Sequence, residues 1–172
     1  MLKIILSLLV LKLGYLFTFK QTKTKTMLDI LKHAHSGFRW IVLAFLIYAI
    51  FNAFTKWQSG KPFEDRDRKA NLFTMISTHI QVLLGLVLYF ISPRVQFGSE
   101  TMKVSEIRFF TVEHLVMMLI VVILITVGNA MSKKAATDAL KFKKTFIYFL
   151  VALIIILIAI PWPFRGFGNG WF

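Results

Sequence analysis

Four apolar runs, each close to the roughly 20 residues that an α-helix needs to cross a bilayer, constrain this chain more than anything else in it. They cover residues 38–54, 72–91, 109–131 and 146–162. The expected fold is therefore all-α, an integral membrane four-helix bundle of antiparallel spans. The connection 55–71, with Gly60 and Pro62, and the connection 132–145 are short and polar, as neighbouring antiparallel helices require. The middle connection, 92–108, carries Pro93 and Gly98 and emerges on the opposite side.

Composition agrees with the runs. Hydrophobic residues make up 57% of the chain, Phe alone numbers 18, and Asp plus Glu only 8 of 172, for a mean hydropathy of +0.69. That is too little polar surface for an ordinary soluble domain. The formal charge of +13 would suit nucleic acid if it formed one patch. The basic residues instead sit in short clusters between apolar runs, where lipid headgroups account for them, so no nucleic-acid partner is expected. The chain has no cysteine, which excludes disulfides, thiolate metal sites, iron–sulfur clusters and covalent CxxCH haem attachment.

Lys and Arg set the expected orientation. The first and third connections hold ten: Lys56, Lys61, Arg66, Arg68, Lys69, Lys133, Lys134, Lys141, Lys143 and Lys144. The other face holds six once the first 26 residues are set aside: Lys32, Arg39, Arg94, Lys103, Arg108 and Arg165. The positive-inside rule then places loops 55–71 and 132–145 in the cytoplasm, and the segment "HAHSGFRW", loop 92–108 and the C-terminus outside. In the tail "PWPFRGFGNGWF", Trp162, Phe164, Phe167 and Trp171 surround one arginine, as an interfacial aromatic belt does.

Residues 1–26 stand apart from this plan. Their apolar stretch is broken by Lys12 and no small-residue cleavage site follows, while Met27 opens a chain that is coherent alone. They read as an overextended start or a loosely attached leader, with a fifth amphipathic or re-entrant helix as the alternative. Residues 27–172 read as a single four-span domain without internal repeats.

Ionisable and polar side chains inside membrane spans are expensive, which makes them the candidates for function. A helix turns about 100° per residue, so His35 and Arg39 share a face, whereas His33 points away from His35. If Arg39 avoids lipid, His35 faces inward with it. The first and third spans run in the same direction, so His114 enters from the same side as His35 and can approach it across the bundle. Thr111, His114, Met118, Val121, Ile125 and Gly128 line one face of the third span. Glu113 lies about 100° from His114, able to support it or to pair with Arg108. His79 sits near the middle of its span in a small and polar stripe of Thr74, Thr78, Gln81, Gly85, Tyr89 and Ser92, a pattern of tight helix contact. Met75, Met117 and Met118 read as core filling.

Two neutral imidazoles on facing helices, in an apolar cavity without thiols, are what a b-type haem requires, with Arg39, Arg108 or Arg165 as the cation for its propionates. His35 and His114 could instead hold copper or zinc, although a closed site of that kind brings three or four ligands. The segments "HSGFRW", "HIQVLLGLVLYF", "RFFTVEHLVMM", "SKKAATDALKFKK" and "IPWPFR" resemble small bacterial four-span membrane proteins commonly labelled cytochrome b-like. The resemblance covers Met27 to about Arg165 and implies a bacterial inner-membrane bundle with His35, His79 and His114 as haem ligands.

The resulting expectation is a b-haem electron carrier, or the membrane subunit of a redox complex, with His35 and His114 as the axial pair. His79 is then structural, quinone-facing or an alternative ligand. Its partners would be the lipid bilayer, other membrane redox subunits or a quinone. No catalytic nucleophile or phosphate-binding motif is present. The rivals are a haem-free assembly or scaffold subunit and a metal-handling membrane protein.

Overall fold

The computed structural model describes the backbone of residues 2–167 and 170–171, and side chains from residue 25 onward. It is all-helical among the described residues. Helix α1 is Leu2–Gln58, α2 is Asp65–Ile91, a short α3 is Ser105–Arg108, α4 is His114–Lys134 and α5 is Asp138–Ala159. A π-helical turn, Phe109–Glu113, joins α3 to α4, and a single 3₁₀ turn, Pro163–Arg165, follows α5. Four helical segments, Lys25–Gln58, Asp65–Ile91, Ser105–Lys134 and Asp138–Ala159, are long and apolar enough to cross a membrane. This is the four-span bundle read from the sequence. α1 passes through Met27 without a break; the side chains of the first 24 residues lie outside the described residues.

α1 packs against α2 and α5, and α4 against α5 and α2, so the four long helices close a ring. Its centre is filled from α1, α4 and α5 by Leu46, Ile125, Phe149 and Ala152, each fully buried. α4 and α5 approach so closely that a Cβ on Gly128 would stand 2.5 Å from Tyr148 Cβ. Only glycine fits there, and Gly128 belongs to the α4 face that the sequence places inward.

The end of the bundle that carries the α1–α2 and α4–α5 loops, here the basic end, is tied by polar contacts. Buried Asp67 accepts from Asn52 Nδ2 at 2.7 Å, from Lys56 Nζ at 2.8 Å and from the Glu64 backbone N–H at 2.8 Å. The carboxylate closes the first turn of α2 and joins it to α1 in one step. Asn71 donates to Thr145 Oγ1 at 2.7 Å, Thr145 to Ser132 Oγ at 3.1 Å, and Ser132 to the Lys141 carbonyl at 3.1 Å, linking α2, α5 and α4. Thr137 caps α5 by accepting from Leu140 N–H. With their partners supplied, these buried groups fix the register of the helices rather than weakening the bundle.

Candidate functional site

At the opposite end, hereafter the histidine end, the polar side chains are arranged differently: they converge on a cavity. His35 on α1 and His114 on α4 face one another with ring centroids 6.3 Å apart and ring planes at 75°. His33 is exposed, although it too borders the cavity. Helical phase leaves it more exposed than His35 and Arg39 but does not keep it from the cavity edge.

His114 is held by the end of α5. Its Nδ1–H donates to the Ala159 carbonyl at 2.8 Å, which fixes the tautomer and leaves Nε2 as a bare acceptor. The turn before it is π-helical, with one residue more than an α-turn. Around that turn the Thr111 carbonyl accepts from Tyr89 O–H at 2.9 Å, and Thr111 Oγ1 accepts from Gln96 N–H at 3.1 Å. The start of α4 is thus anchored to the end of α2 and the loop after it.

His35 is held by α2. Gln81 Nε2 donates to the His35 carbonyl at 2.9 Å and lies 3.4 Å from His35 Nε2. The second contact is too long to occupy that nitrogen firmly. One turn on, Gly85 lets the ring press against the helix: a Cβ there would be 3.0 Å from His35 Cε1. Gln81 and Gly85 stand in the polar stripe seen in the sequence, and its small residues provide the close approach.

The cavity between these groups has a volume of about 400 Å³. Val82 and Leu86 of α2, Met118 and Leu119 of α4 and Ile156 of α5 supply its apolar walls, and its charged lining is Lys32, Arg39 and Arg94, with no carboxylate side chain. Lys32 and Arg94 have acidic neighbours outside it, Asp29 at 3.5 Å and Glu106 at 3.8 Å. Arg39 is buried and makes no ion pair among the described residues. Its guanidinium donates to the Trp171 carbonyl, which also accepts from Trp40 Nε1 at 3.3 Å, and it lies over the Trp40 and Trp162 rings at 5.3 and 5.8 Å. The tail thus folds back across the arginine, and the aromatic belt of the sequence becomes a clamp on one buried cation.

Three buried side-chain atoms lack a hydrogen-bond partner among the described residues: His35 Nδ1, Arg39 Nε and Gln81 Oε1. All three belong to residues that line this cavity. Native interiors leave few such atoms, and here they gather at one place.

The other candidates lie elsewhere. Arg108 is absent from the cavity lining; its Nε donates to Glu113 at 2.6 Å and its Nη1 to the Met102 carbonyl at 3.2 Å. In an α-helix residues five apart point about 140° from one another; the π turn aligns them, which gives Arg108 to Glu113. Arg165 donates to the Ile158 carbonyl and lies 4.7 Å over the Phe109 ring. His79 is exposed on the membrane side, with Nδ1 on the Met75 carbonyl at 2.7 Å, and is not part of the His35–His114 group. Lys32 and Arg94 were not singled out in the sequence. Their signal was position alone: Lys32 precedes His35 by one turn, and Arg94 follows the end of α2. No group of three or more His, Asp or Glu converges among the described residues. Comparison of the chain with protein-family models, with curated proteins and with solved structures gives no match.

Proposed function

We propose that this chain is a membrane b-haem electron carrier, or the membrane subunit of a redox complex, with the haem held between His35 and His114 at the histidine end. The single observation that carries this reading is the gathering of His35 Nδ1, Arg39 Nε and Gln81 Oε1, all buried and without partners, around one cavity. Such a cavity calls for a ligand with a centre that accepts an imidazole lone pair, a broad apolar body and an anionic edge. The spacing suits that ligand. His35 and His114, with ring centroids 6.3 Å apart, would hold its iron between them. His114 would ligate through Nε2, since Nδ1 is committed to Ala159, and Arg39, Lys32 and Arg94 would meet the propionates. A bound haem supplies one-electron redox chemistry. The chain supplies the rest: a fixed His114 tautomer, an apolar wall that excludes water, and a buried cation.

The same reading puts the protein in a bacterial inner membrane with the basic end in the cytoplasm, by the count of lysines and arginines, and gives it other redox subunits or a quinone as partners. Oxidised and dithionite-reduced visible spectra of protein made with ample haem and purified in detergent test it. Haem bands are expected in the wild type and should be lost or shifted in His35→Ala and His114→Ala. An absence of bands ends the proposal, and favours a scaffold subunit if another membrane protein co-purifies. Bands unchanged in both variants would refute the ligand pair, and elemental analysis would show whether a different metal takes its place.

A further inference from the structure

His79 is the histidine that the bundle leaves facing lipid. It lies twelve residues before the end of α2 at Ile91, about 18 Å along the helix axis. Across the seam between α2 and α4 stands Thr126, exposed as well, with Oγ1 3.4 Å from His79 Nε2. The protons of both groups are already committed. His79 Nδ1 is 2.7 Å from the Met75 carbonyl oxygen, a contact that requires Nδ1–H and leaves Nε2 a bare lone pair. Thr126 O–H donates to the Val122 carbonyl at 2.6 Å, the shorter of its two contacts, so at 3.4 Å it satisfies His79 Nε2 weakly at most. Nε2 therefore keeps its lone pair for another donor, on a surface where hydrocarbon provides none.

We infer that His79 and Thr126 form a binding site for a hydroxyl donor dissolved in the membrane, and that the donor is the phenolic hydroxyl of a hydroquinone. Depth selects the class. Lipid glycerol, phosphate and sterol hydroxyls stay near the interface, whereas His79 lies near the middle of its span; a donor there must have a head group that dissolves in hydrocarbon. A second copy of the chain meets the site poorly. Among the described residues its lipid-exposed phenol is Tyr48 on α1, but Thr74 lies against the Phe45 carbonyl and Asn52 against Asp67. That register sets Tyr48 level with Asn71, eight residues or about 12 Å toward the basic end from His79. The choice of a hydroquinone among phenols rests on the proposed redox reading. Val82, Leu86 and Leu119, further along the same two helices toward the histidine end, wall the cavity.

The test is anaerobic titration of ¹⁵N-histidine-labelled full-length protein in lipid nanodiscs with duroquinol, followed by NMR. One Nε2 resonance should shift saturably. The shift should be absent with the dimethyl ether of duroquinol, absent in His79→Phe, and should require about fivefold more duroquinol in Thr126→Val, the worth of one hydrogen bond. A duroquinol shift that persists in His79→Phe, or no shift in the wild type, overturns the site. An equal response to cholesterol assigns it to a lipid hydroxyl, and a shift that follows protein concentration without ligand assigns it to a second copy; either result overturns the hydroquinone. These readouts need no haem, so a haem-free protein would defeat the redox reading and leave the site decided on its own. Where haem is present, duroquinol should reduce it at least tenfold more slowly in His79→Phe, with the dithionite-reduced spectrum unchanged.

Discussion

Gly85 lies directly beneath His35, so close that one added carbon would stand 3.0 Å from the ring. Such a contact forces the ring or α2 to give way, and overpacking of this kind costs about 1–3 kcal/mol. Gly85→Val should lower the thermal midpoint in detergent and alter the bands of the proposed haem, because it displaces the imidazole that Gln81 holds. An unchanged spectrum in a folded Gly85→Val protein would mean that His35 is not the ligand.

Arg39 should matter through its charge. It is the buried cation of the cavity and its Nε has no partner among the described residues, so Arg39→Gln removes the charge meant for an anionic edge. Haem loss to apomyoglobin should be at least about tenfold faster in the variant, the scale of one charge-assisted hydrogen bond. Equal rates would show that the arginine serves the Trp171 clamp alone.

Asp67 and Lys56 should be coupled. Asp67 is 2% exposed and Lys56 15%, and removal of Asp67 leaves Lys56 only the exposed Glu64 carboxylate, at 3.2 Å. Asp67→Leu should cost about 3 kcal/mol, read as a lower midpoint in thermal or denaturant unfolding. Part of that loss should return in Asp67→Leu with Lys56→Met, because the ammonium that lost its buried partner is gone; the loss of the Lys56–Glu64 contact and the unpaired Asn52 and Glu64 N–H groups keep the rescue incomplete. Strict additivity of the two changes would show that the ion pair contributes nothing.

Glu113 should be nearly silent. Its pair with Arg108 is more than a third exposed on both sides, and such pairs contribute at most about 1 kcal/mol. Glu113→Gln should leave the haem spectrum and its pH dependence as in the wild type. A changed pH dependence would make the carboxyl a participant in proton movement, despite its place outside the cavity.

The spans were legible because hydrocarbon imposes one requirement on every residue of a run, and the facing of His35, Arg39 and His114 because helical phase is local. Contacts that depend on tertiary structure left no mark. The Ala159 carbonyl that orients His114 is a backbone atom that any residue could supply, and the Trp171 carbonyl over Arg39 lies 132 residues away in the chain. Arg108 was one of three cations that position near the water boundary allowed for the propionates, and its pairing with Glu113, the other reading the sequence offered, is the one found. The π turn did not disturb His114, which follows it. At the basic end Asn52, Asn71 and Ser132 passed unnoticed. Single amides and hydroxyls in apolar helices carry no periodic signal until their partners on other helices are known.

The five residues of the π turn have a further consequence for how this chain tolerates change in length. A π turn is equivalent to one residue inserted into an α-helix, so deletion of Val112 would restore a regular helix and leave the seating of His114 against Ala159 intact. What precedes the deletion would keep its phase, and Arg108, then four positions from Glu113, would stay on the same face as the carboxylate. The approach to the site can thus lose a residue without moving the histidine, whereas a deletion between His114 and Gly128 would turn the imidazole and the closest helix contact onto different faces.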